Sequence, residues 1–476
     1  MNYEKILLIN PNPPRTGNLA KYRHAIPIIV PLSLGYLAGY LHEKGVEAEI
    51  YDEQVDPVDE NILRSYILDR KFGVLGISST TMHIQRTMQI ADMAKKIAKD
   101  VKVVLGGVHP TVMPGECLGN GSVDFVVRQE GEITLYELMK SLRGDIPLDG
   151  IEGVSYRDNG TVRHMPDRMP IQDLNSLPPF PYHLFASNAE RYRFQVLASR
   201  GCPYRCIFCS ARSVTGYKIR FYSPERVVKD VEYLTNVFGK NKISFADDTF
   251  TFNKKHVTEI CSLLIERGLN EKIPLYCAAR GDTVDRELLE TMKKAGFKGL
   301  YFGIETGTER LMKVIRKGET VEDNVRAVKL ANDVGLKVRG TFLLGLPTET
   351  KADSRETINL ALRLPLSFAS FSIATPFPGT ELAQIAKDDG FESRDFSRFD
   401  IAGGLLGKQI PYIPKGRTYE ELRKLQKMAY FRFYMKPSRV MSFLFNEIPD
   451  LNLKTLNLME RSILIAKLFL GLFKGG

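Results

Sequence analysis

Three of the six cysteines crowd into one short stretch, GCPYRCIFC, where Cys202, Cys206 and Cys209 make a C-x3-C-x2-C spacing. Thiolates bind soft metals, and a loop this short can wrap only a compact centre. Zinc would want a fourth Cys or His at ribbon-like spacing, and none stands close by. Three thiolates instead suit an iron–sulfur cube, ligating three irons and leaving the fourth open to a substrate or cofactor; a cluster that only transfers electrons normally takes four protein ligands. Cys117, Cys261 and Cys277 are scattered and read as small buried hydrophobes.

Elements able to hold such a loop follow from the apolar pattern. Strands are expected at 195–199, 242–247, 275–280, 300–305, 338–345 and 370–375, with helices between them near 224–238, 255–267, 285–295, 322–334 and 352–364. Six strand–helix units imply an open or partial (β/α)6 barrel, in which chemistry gathers at the carboxyl ends of the strands. The cysteine loop follows the first of these strands. Asp247 and Asp248 end the second, Arg280 the third and Glu305 the fourth, while Gly345 and Pro347 follow the fifth and TPFPGT, beginning at Thr375, the sixth. One such carboxylate is ordinarily a helix cap; a whole rim of polar, small and metal-binding groups is harder to explain that way.

The first 145 residues show the same alternation: strands at 5–10, 48–53, 74–79, 102–107 and 124–129, and helices near 33–43, 58–70, 84–98 and 134–142. Five such units predict a doubly wound, Rossmann-like sheet that binds its ligand outside the strand ends. Asn12, Ser78, Ser79, Thr80, Gly106, Gly107, His109, Glu130 and Gly131 cluster there. Small residues let backbone approach a bulky ligand closely, although glycines also serve simply to permit tight turns, and His109 ordinarily reads as a structural loop histidine. No G-x-G-x-x-G follows the first strand, so a dinucleotide fingerprint is absent. Between the two arrays, residues 146–191 read as a connector: a hairpin turning at Asn159-Gly160, then prolines at 178, 179 and 181. The expected layout is therefore 1–145, a linker 146–191, a barrel 192–390 and a helical extension 391–476.

At the cysteine loop the chain resembles the radical S-adenosylmethionine enzymes, whose defining pattern is C-x3-C-x-aromatic-C, here with Phe208 as the aromatic residue. The resemblance implies a 4Fe–4S cluster held by Cys202, Cys206 and Cys209. Its open iron chelates the amino and carboxylate groups of S-adenosylmethionine, and the reduced cluster cleaves the sulfonium to a 5′-deoxyadenosyl radical. It further implies that Phe208 packs on adenine, that Asp247 faces the methionine amine, that Arg280 and Glu305 hold the methionine carboxylate and the ribose hydroxyls, and that Thr375 joins the site. ADD (246–248) replaces the common Gly-Gly-Glu, and Glu349 in GLPTET lies one place later than usual and is left unassigned. With PLSLGYLAGYL (31–41), GGVHPT (106–111), QEGE (129–132), FADDTF (245–250), GIETGT (303–308) and TPFPGT (375–380), the layout resembles the cobalamin-binding branch of these enzymes. The strand-end residues of the first domain would then contact cobalamin. NPNPPRTG after the first strand has no histidine, so the cobalt would lack a ligand from that loop.

Methyl transfer to an unactivated carbon of a small-molecule or lipid-like substrate is the leading reaction that the resemblance implies, fed by a flavodoxin- or ferredoxin-type low-potential electron donor. A cyclase forming a C–C bond without methyl transfer is the runner-up. A non-catalytic iron–sulfur or RNA-binding protein is the reading of a different class, and a tRNA methylthiolating enzyme would want an extra N-terminal cysteine set that is missing.

Composition bounds the rest. With 43 % apolar and 26 % charged residues the chain is an ordinary globular one. No uninterrupted apolar run reaches about 18 residues, and the N-terminus lacks the pattern of a signal peptide, so a cytoplasmic protein is expected. Of the net charge of +10, residues 401–476 supply +8, from thirteen Lys/Arg against five Asp/Glu. The stretches 431–445 and 458–476 mix basic and apolar residues as an interfacial helix does, which suggests peripheral contact with the inner face of a membrane. A helix packed on the barrel or on a partner is the plainer reading. Nucleic acid is disfavoured, since the tail carries no RNA-binding signature.

Overall fold

The fold is that of a computed structural model, which describes residues 3–12, 28–239, 242–391, 395, 396, 399, 412–436 and 439. The chain forms two compact units: residues 1–16, 30–189 and 210–220, and residues 17–29, 190–209 and 221–476.

In the first unit, β1 (Lys5–Asn10), β2 (Glu47–Asp52), β3 (Val74–Ser78), β4 (Lys102–Gly106), β5 (Phe125–Val127), β6 (Val154–Asp158) and β7 (Thr161–His164) build one sheet in the order β2-β1-β3-β4-β5-β6-β7. The first five strands run parallel. β1 shows why: Ile6, Leu7, Leu8 and Ile9 are all buried, as a strand covered by helices on both faces requires. On one face, helices Leu32–Glu43 and Glu132–Arg143 close a core in which Leu34, Ala38, Leu41, Leu135, Leu138 and Met139 meet Ile6, Leu8, Val104 and Val127. The strand order reverses between β1 and β3, the place where sheets of this kind open a crevice outside their carboxyl ends.

The hairpin signalled by Asn159-Gly160 is β6–β7, and it extends this sheet as two antiparallel strands at one edge. The proline-rich stretch behind it is also docked on this unit. Phe180 lies edge-on to Tyr36, with ring centroids 5.1 Å apart, over Gly35; a Cβ at Gly35 would stand 2.2 Å from the ring. The helix expected over 58–70 runs as α-helix over Glu60–Arg64 and then widens to a π-turn over Ser65–Asp69.

In the second unit, β8 (Gln195–Val196), β9 (Ile243–Phe245), β10 (Leu275–Ala279), β11 (Phe297–Glu305), β12 (Lys337–Leu344) and β13 (Phe368–Ile373) form a six-stranded, all-parallel sheet in sequential order, an open (β/α)6 array. Helices Pro224–Asn236, Lys254–Glu266, Arg286–Lys294, Val321–Asp333 and Lys351–Arg363 alternate with the strands. Ser223, Asn253, Asp285, Thr320 and Thr350 cap them, each side chain accepting a backbone N–H of the first turn. The first two strands are shorter than expected because their ends leave the ladder: the Ala198 amide is given to the Asp247 carboxylate at 3.1 Å instead of to a neighbouring strand.

β13 lies at the edge of this sheet, where exposed N–H and C=O groups would invite another chain. The helix Tyr419–Tyr434, part of the extension expected to be helical, covers that edge with three side chains in one row. Gln426 donates to Phe371 O (2.9 Å) and Tyr430 Oη accepts from Phe371 N (3.1 Å). Tyr434 Oη accepts from Ala369 N (3.2 Å) and donates to Ala369 O (2.9 Å). From Tyr430 to Tyr434 the helix rises about 6 Å, and from Phe371 back to Ala369 the strand spans about 6.6 Å, so these two contacts match in spacing. Residues 440–476, including the amphipathic segment 458–476, lie outside the described residues. Among the described residues no helix is long and apolar enough to cross a membrane.

The edge contacts give a direct test. Replacing Tyr430 and Tyr434 together by Phe strips the partners from buried groups of Ala369 and Phe371, at a cost of about 1–3 kcal/mol for each group left unsatisfied. Urea unfolding of the second unit should shift to a lower midpoint with the slope unchanged.

Candidate active site

The cysteine loop has almost no regular structure, so its position depends on what grips it. Ile207, between Cys206 and Phe208, is the anchor: its N–H donates to Ile315 O (3.1 Å) and its carbonyl accepts from Leu382 N (2.8 Å). Its side chain is buried in a cluster with Leu311, Met312, Ile315, Leu346, Ala374 and Leu382, against which Phe208 packs while remaining half-buried. Cys209 N closes the turn on Cys206 O at 3.2 Å. Cys202 and Cys206 are half-buried and Cys209 is exposed; no disulfide joins them. Burial pushes the Cys206 thiol up to about 11, against the pull of the Lys317 and Arg280 cations, so a metal here must displace protons to bind.

Among the described residues no three His, Cys, Asp or Glu side chains converge as a single-ion site requires. A four-iron cube asks for something else, one thiolate on each of three separate corners. Three thiols on one pinned loop, without a fourth cysteine in it, fit that group.

The other expected residues of this rim are brought to the strand ends, with partners the sequence did not disclose. Arg280, just after β10, is bidentate on Asp282 (3.0 and 3.1 Å), stands 3.8 Å from Glu319, and lies 3.4 Å from the centre of the Tyr204 ring within the cysteine loop. Glu305, the last residue of β11, pairs with Lys317 at 3.0 Å and not with Arg280. Asp247 is buried; it accepts from Ser199 Oγ (2.5 Å) and Ala198 N (3.1 Å) and so fastens the approach to the cysteine loop. Burial lifts its pKa to about 7, although those hydrogen bonds pull it down. Thr375, just past β13, is buried with its hydroxyl on Ile373 O (3.1 Å). Glu349 is fully engaged inside the fold, with Leu346 N, Ser354 and the Arg417 charge. Tyr204, Asp282, Lys317 and Glu319 carried no sequence signal beyond their charge or ring; RKGE (316–319) reads as a solvated run.

At the rim of the first unit, Asn12, Ser78, Gly106, Gly107 and Gly131 are half-buried and Thr80 is exposed. The larger polar groups are withdrawn. Glu130 is bidentate on Arg220 (2.8 and 3.0 Å) and accepts from Ile171 N (2.8 Å), which gives it a structural duty. Glu53 accepts from Asn12 N (2.8 Å) and Val58 N (2.9 Å) and pairs with Arg86 at 2.6 Å. His109 is fully buried, 3.3 Å from the Thr81 hydroxyl, and burial lowers it to about 4, a neutral imidazole. Gly107, at φ +93°, is glycine for want of room: a Cβ would stand 2.8 Å from Ser79 O and 2.9 Å from Ser79 N. Ser79 itself is buried, bonded to Thr87 at 2.9 Å. A crevice of about 600 Å³ beside the ends of β4 and β5 is lined by Thr111, Gln129, His164, Asp167 and Ser213, among others. The crevice also carries the Arg128–Asp167 ion pair (2.8 Å), while the strand ends beside it present small residues that would let a large ligand lie against backbone.

Comparison with known proteins identifies a domain in each part of the chain. Residues 196–361 match the radical SAM superfamily and residues 24–139 the B12 binding domain. An uncharacterised methyltransferase of Pyrococcus horikoshii is 34 % identical over 429 residues, 87 % of this chain and 90 % of that protein. An anaerobic magnesium-protoporphyrin IX monomethyl ester cyclase of Cereibacter sphaeroides is 28 % identical over 420 residues, covering 85 % of this chain and 67 % of the other. Among solved structures, the radical S-adenosylmethionine methyltransferase TsrM from Kitasatospora setae, with cobalamin and an iron–sulfur cluster bound, shares the fold at a TM-score of 0.70 and 20 % identity, over 82 % of this chain and 75 % of that one. With both domains on one chain and a relative matched along nearly its whole length, the protein belongs to the radical SAM superfamily, in the branch that carries a B12-binding domain, and its cofactors are a 4Fe–4S cluster, S-adenosylmethionine and cobalamin.

Proposed function

We propose that this chain is a cobalamin-dependent radical S-adenosylmethionine methyltransferase that methylates an unactivated carbon of a small molecule. The observation that carries the reading is the pairing, on one chain, of a pinned three-cysteine loop with no fourth cysteine and a strand-end rim of small residues. When bound, the cluster and S-adenosylmethionine supply a 5′-deoxyadenosyl radical, and cobalamin supplies a transferable methyl group. The methyltransferase relative matches at higher identity and over more of its length than the cyclase, which favours methyl transfer over ring formation.

The residues divide the work by charge and shape. Cys202, Cys206 and Cys209 hold three irons and leave one for S-adenosylmethionine. Arg280 takes the methionine carboxylate, as a guanidinium fork suits a carboxylate. Glu305 accepts from the ribose hydroxyls, Asp247 faces the amine, Phe208 covers the adenine and Thr375 completes the rim. Asn12, Ser78, Ser79, Thr80, Gly106, Gly107, His109, Glu130 and Gly131 shape the cobalamin site, in which Ser79, His109 and Glu130 act from beneath the surface. The electron donor is of flavodoxin or ferredoxin type. A lipid-like substrate met at the inner face of a membrane fits the basic tail; Phe431, in the last turn of the helix Tyr419–Tyr434, and Met435, which caps it, are both exposed beside Arg432 and Lys436.

Anaerobic reconstitution with iron, sulfide and hydroxocobalamin tests the whole reading. The desalted protein should show cobalamin bands beside a cluster shoulder near neutral pH. Cys206→Ala should lose the shoulder and cut S-adenosylmethionine cleavage by about a hundredfold or more, about 2.7 kcal/mol in barrier terms, while the cobalamin bands remain. Product carrying label from methyl-labelled S-adenosylmethionine supports methyl transfer, and unlabelled cyclised product supports the cyclase.

Asp247 gives a pH test. It must be ionised to accept from the amine, and its pKa of about 7 puts the loss of that charge on the acid side of neutrality. S-adenosylmethionine affinity, measured on the oxidised cluster without turnover, should weaken about tenfold from pH 8 to pH 6. Asp247→Asn should bind more weakly at pH 8 and show a flatter profile.

A further inference from the structure

The turn that follows the helix Glu309–Val314 holds two charges that no role above uses, Lys317 and Glu319, buried to 5 % and 6 % exposure. Lys317 Nζ sits 3.0 Å from Glu305 Oε1 and 3.5 Å from Glu319 Oε1. Glu319 in turn accepts from Gly281 N (3.0 Å) and Asn324 Nδ2 (3.1 Å) and stands 3.8 Å from Arg280. We propose that Lys317 and Glu319 form a strut that fixes the two S-adenosylmethionine contacts Glu305 and Arg280 in one arrangement, with Lys317 as its positioning residue. The proposal rests on the assignment of Glu305 and Arg280 made above.

The backbone has been bent and cleared to make the Lys317–Glu305 contact. The pairing of β11 with β12 slips between Gly303 and Glu305, an irregularity that re-aims a side chain. Glu305 takes φ +62°, which side chains rarely adopt and which persists where the surroundings over-determine it. Gly303 is bare because a Cβ would stand 2.5 Å from Glu305 Oε1 and 2.8 Å from Lys317 Nζ. At the other end, Glu319 grips the amide of Gly281, the residue next to Arg280, so it fixes the backbone from which the guanidinium projects.

Charge makes Lys317 the member on which the others depend. The set holds two cations, Lys317 and Arg280, and three carboxylates, Glu305, Glu319 and Asp282; Asp282 is already taken by Arg280. Burial works against the ammonium, but Glu305 and Glu319 outweigh it and hold Lys317 above the ordinary lysine value. Without it two buried carboxylates lose their shared cation, and Glu305 has no reason to fold back over Gly303. An ammonium with three donors can serve both carboxylates from one point, which a planar guanidinium cannot do in the same space.

The test uses the full-length protein with its cluster reconstituted and oxidised, S-adenosylmethionine binding by equilibrium dialysis, and iron content as a check on loading. Lys317→Met should weaken binding by about tenfold or more with iron content unchanged, and Lys317→Arg should recover part of the loss. In a Glu305→Gln background, Lys317→Met should add less than about threefold, because a residue that acts through another has little left to do once that partner is gone. An affinity within about twofold of the parent, or losses that simply multiply in the double variant, overturns the proposal. Should Lys317→Met fail to fold or load iron, Gly303→Ala displaces the same contact without removing charge; it should give a comparable loss, and an unchanged affinity overturns the strut. If Glu305→Gln alone leaves binding unchanged, the assignment of Glu305 is wrong and the proposal falls with it. If that variant weakens binding while Lys317→Met does not, only the proposal falls.

Discussion

Everything at the barrel rim depends on how Ile207 is held. A loop that must present three thiols to one small cluster has no sheet or helix of its own to order it, so order must come from outside. Here it comes from two backbone hydrogen bonds, to Ile315 and from Leu382, and from an apolar side chain sunk among Leu311, Met312, Ile315 and Leu346. The hydrophobic core beneath the loop thus decides where the cysteines stand. Ile315 also begins the turn that delivers Lys317 and Glu319, so one short stretch of backbone sets the position of the metal loop and of the buried charges beside it.

Much of this was legible in the chain. The strands at 5–10 and 102–106 were, because parallel strands covered on both faces must be nearly continuous apolar runs, and these are; 337–344, KVRGTFLL, shows itself instead by alternation. The helix starts were, because Ser, Asn, Asp and Thr caps announce themselves. The thiol loop was, because its ligands are local: three residues within one turn of chain carry their own geometry. What a linear reading could not give was pairing across distance. Arg280 and Glu305, of opposite charge at neighbouring strand ends, do not pair with each other; each has a different partner from the turn at 317–319, which has no periodicity to mark it. The hairpin at 154–164 announced its turn but not the sheet it would join. Of the row Gln426, Tyr430 and Tyr434, only Tyr434 falls in the basic, aromatic stretch 431–445, and only the presence of a bare strand edge beside the row reveals its use.

Strand-end residues of the first unit show the same limit from another side. Small and polar residues gather at such ends for two reasons: to meet a ligand, or to let loops pass close to one another. Type alone does not separate them. Gly107 and Ser79 serve the second purpose, since the backbone of one occupies the space that a side chain on the other would need. His109 and Glu130 are conspicuous in sequence as reactive groups, yet burial makes the first neutral and Arg220 engages the second. Asn12, Ser78, Thr80, Gly106 and Gly131 are less conspicuous, and they are the ones left exposed or half-buried at the rim.

Both units obey one rule in placing charge, with opposite results. A charge buried near a strand end is costly unless matched, and in each unit most of the matching is internal: Glu53 with Arg86 and Glu130 with Arg220 in the first, Lys317 with Glu305 and Glu319 in the second, whereas Asp247, held by hydrogen bonds alone, shows the cost in its raised pKa. In the first unit these matched pairs lie beneath the rim and the strand ends carry small residues such as Gly106 and Gly131, a surface suited to a bulky ligand held by many weak contacts along backbone. In the second, Arg280 and Glu305 are buried too, but they stand at the ends of β10 and β11 with Arg280 stacked on Tyr204 of the cysteine loop, an arrangement suited to a small ligand with charged groups at fixed separation. A corrin-bearing cofactor is a ligand of the first kind, and the amino-acid end of S-adenosylmethionine is one of the second. The difference between the two sites therefore lies less in which residues line them than in where each unit has hidden its counter-charges.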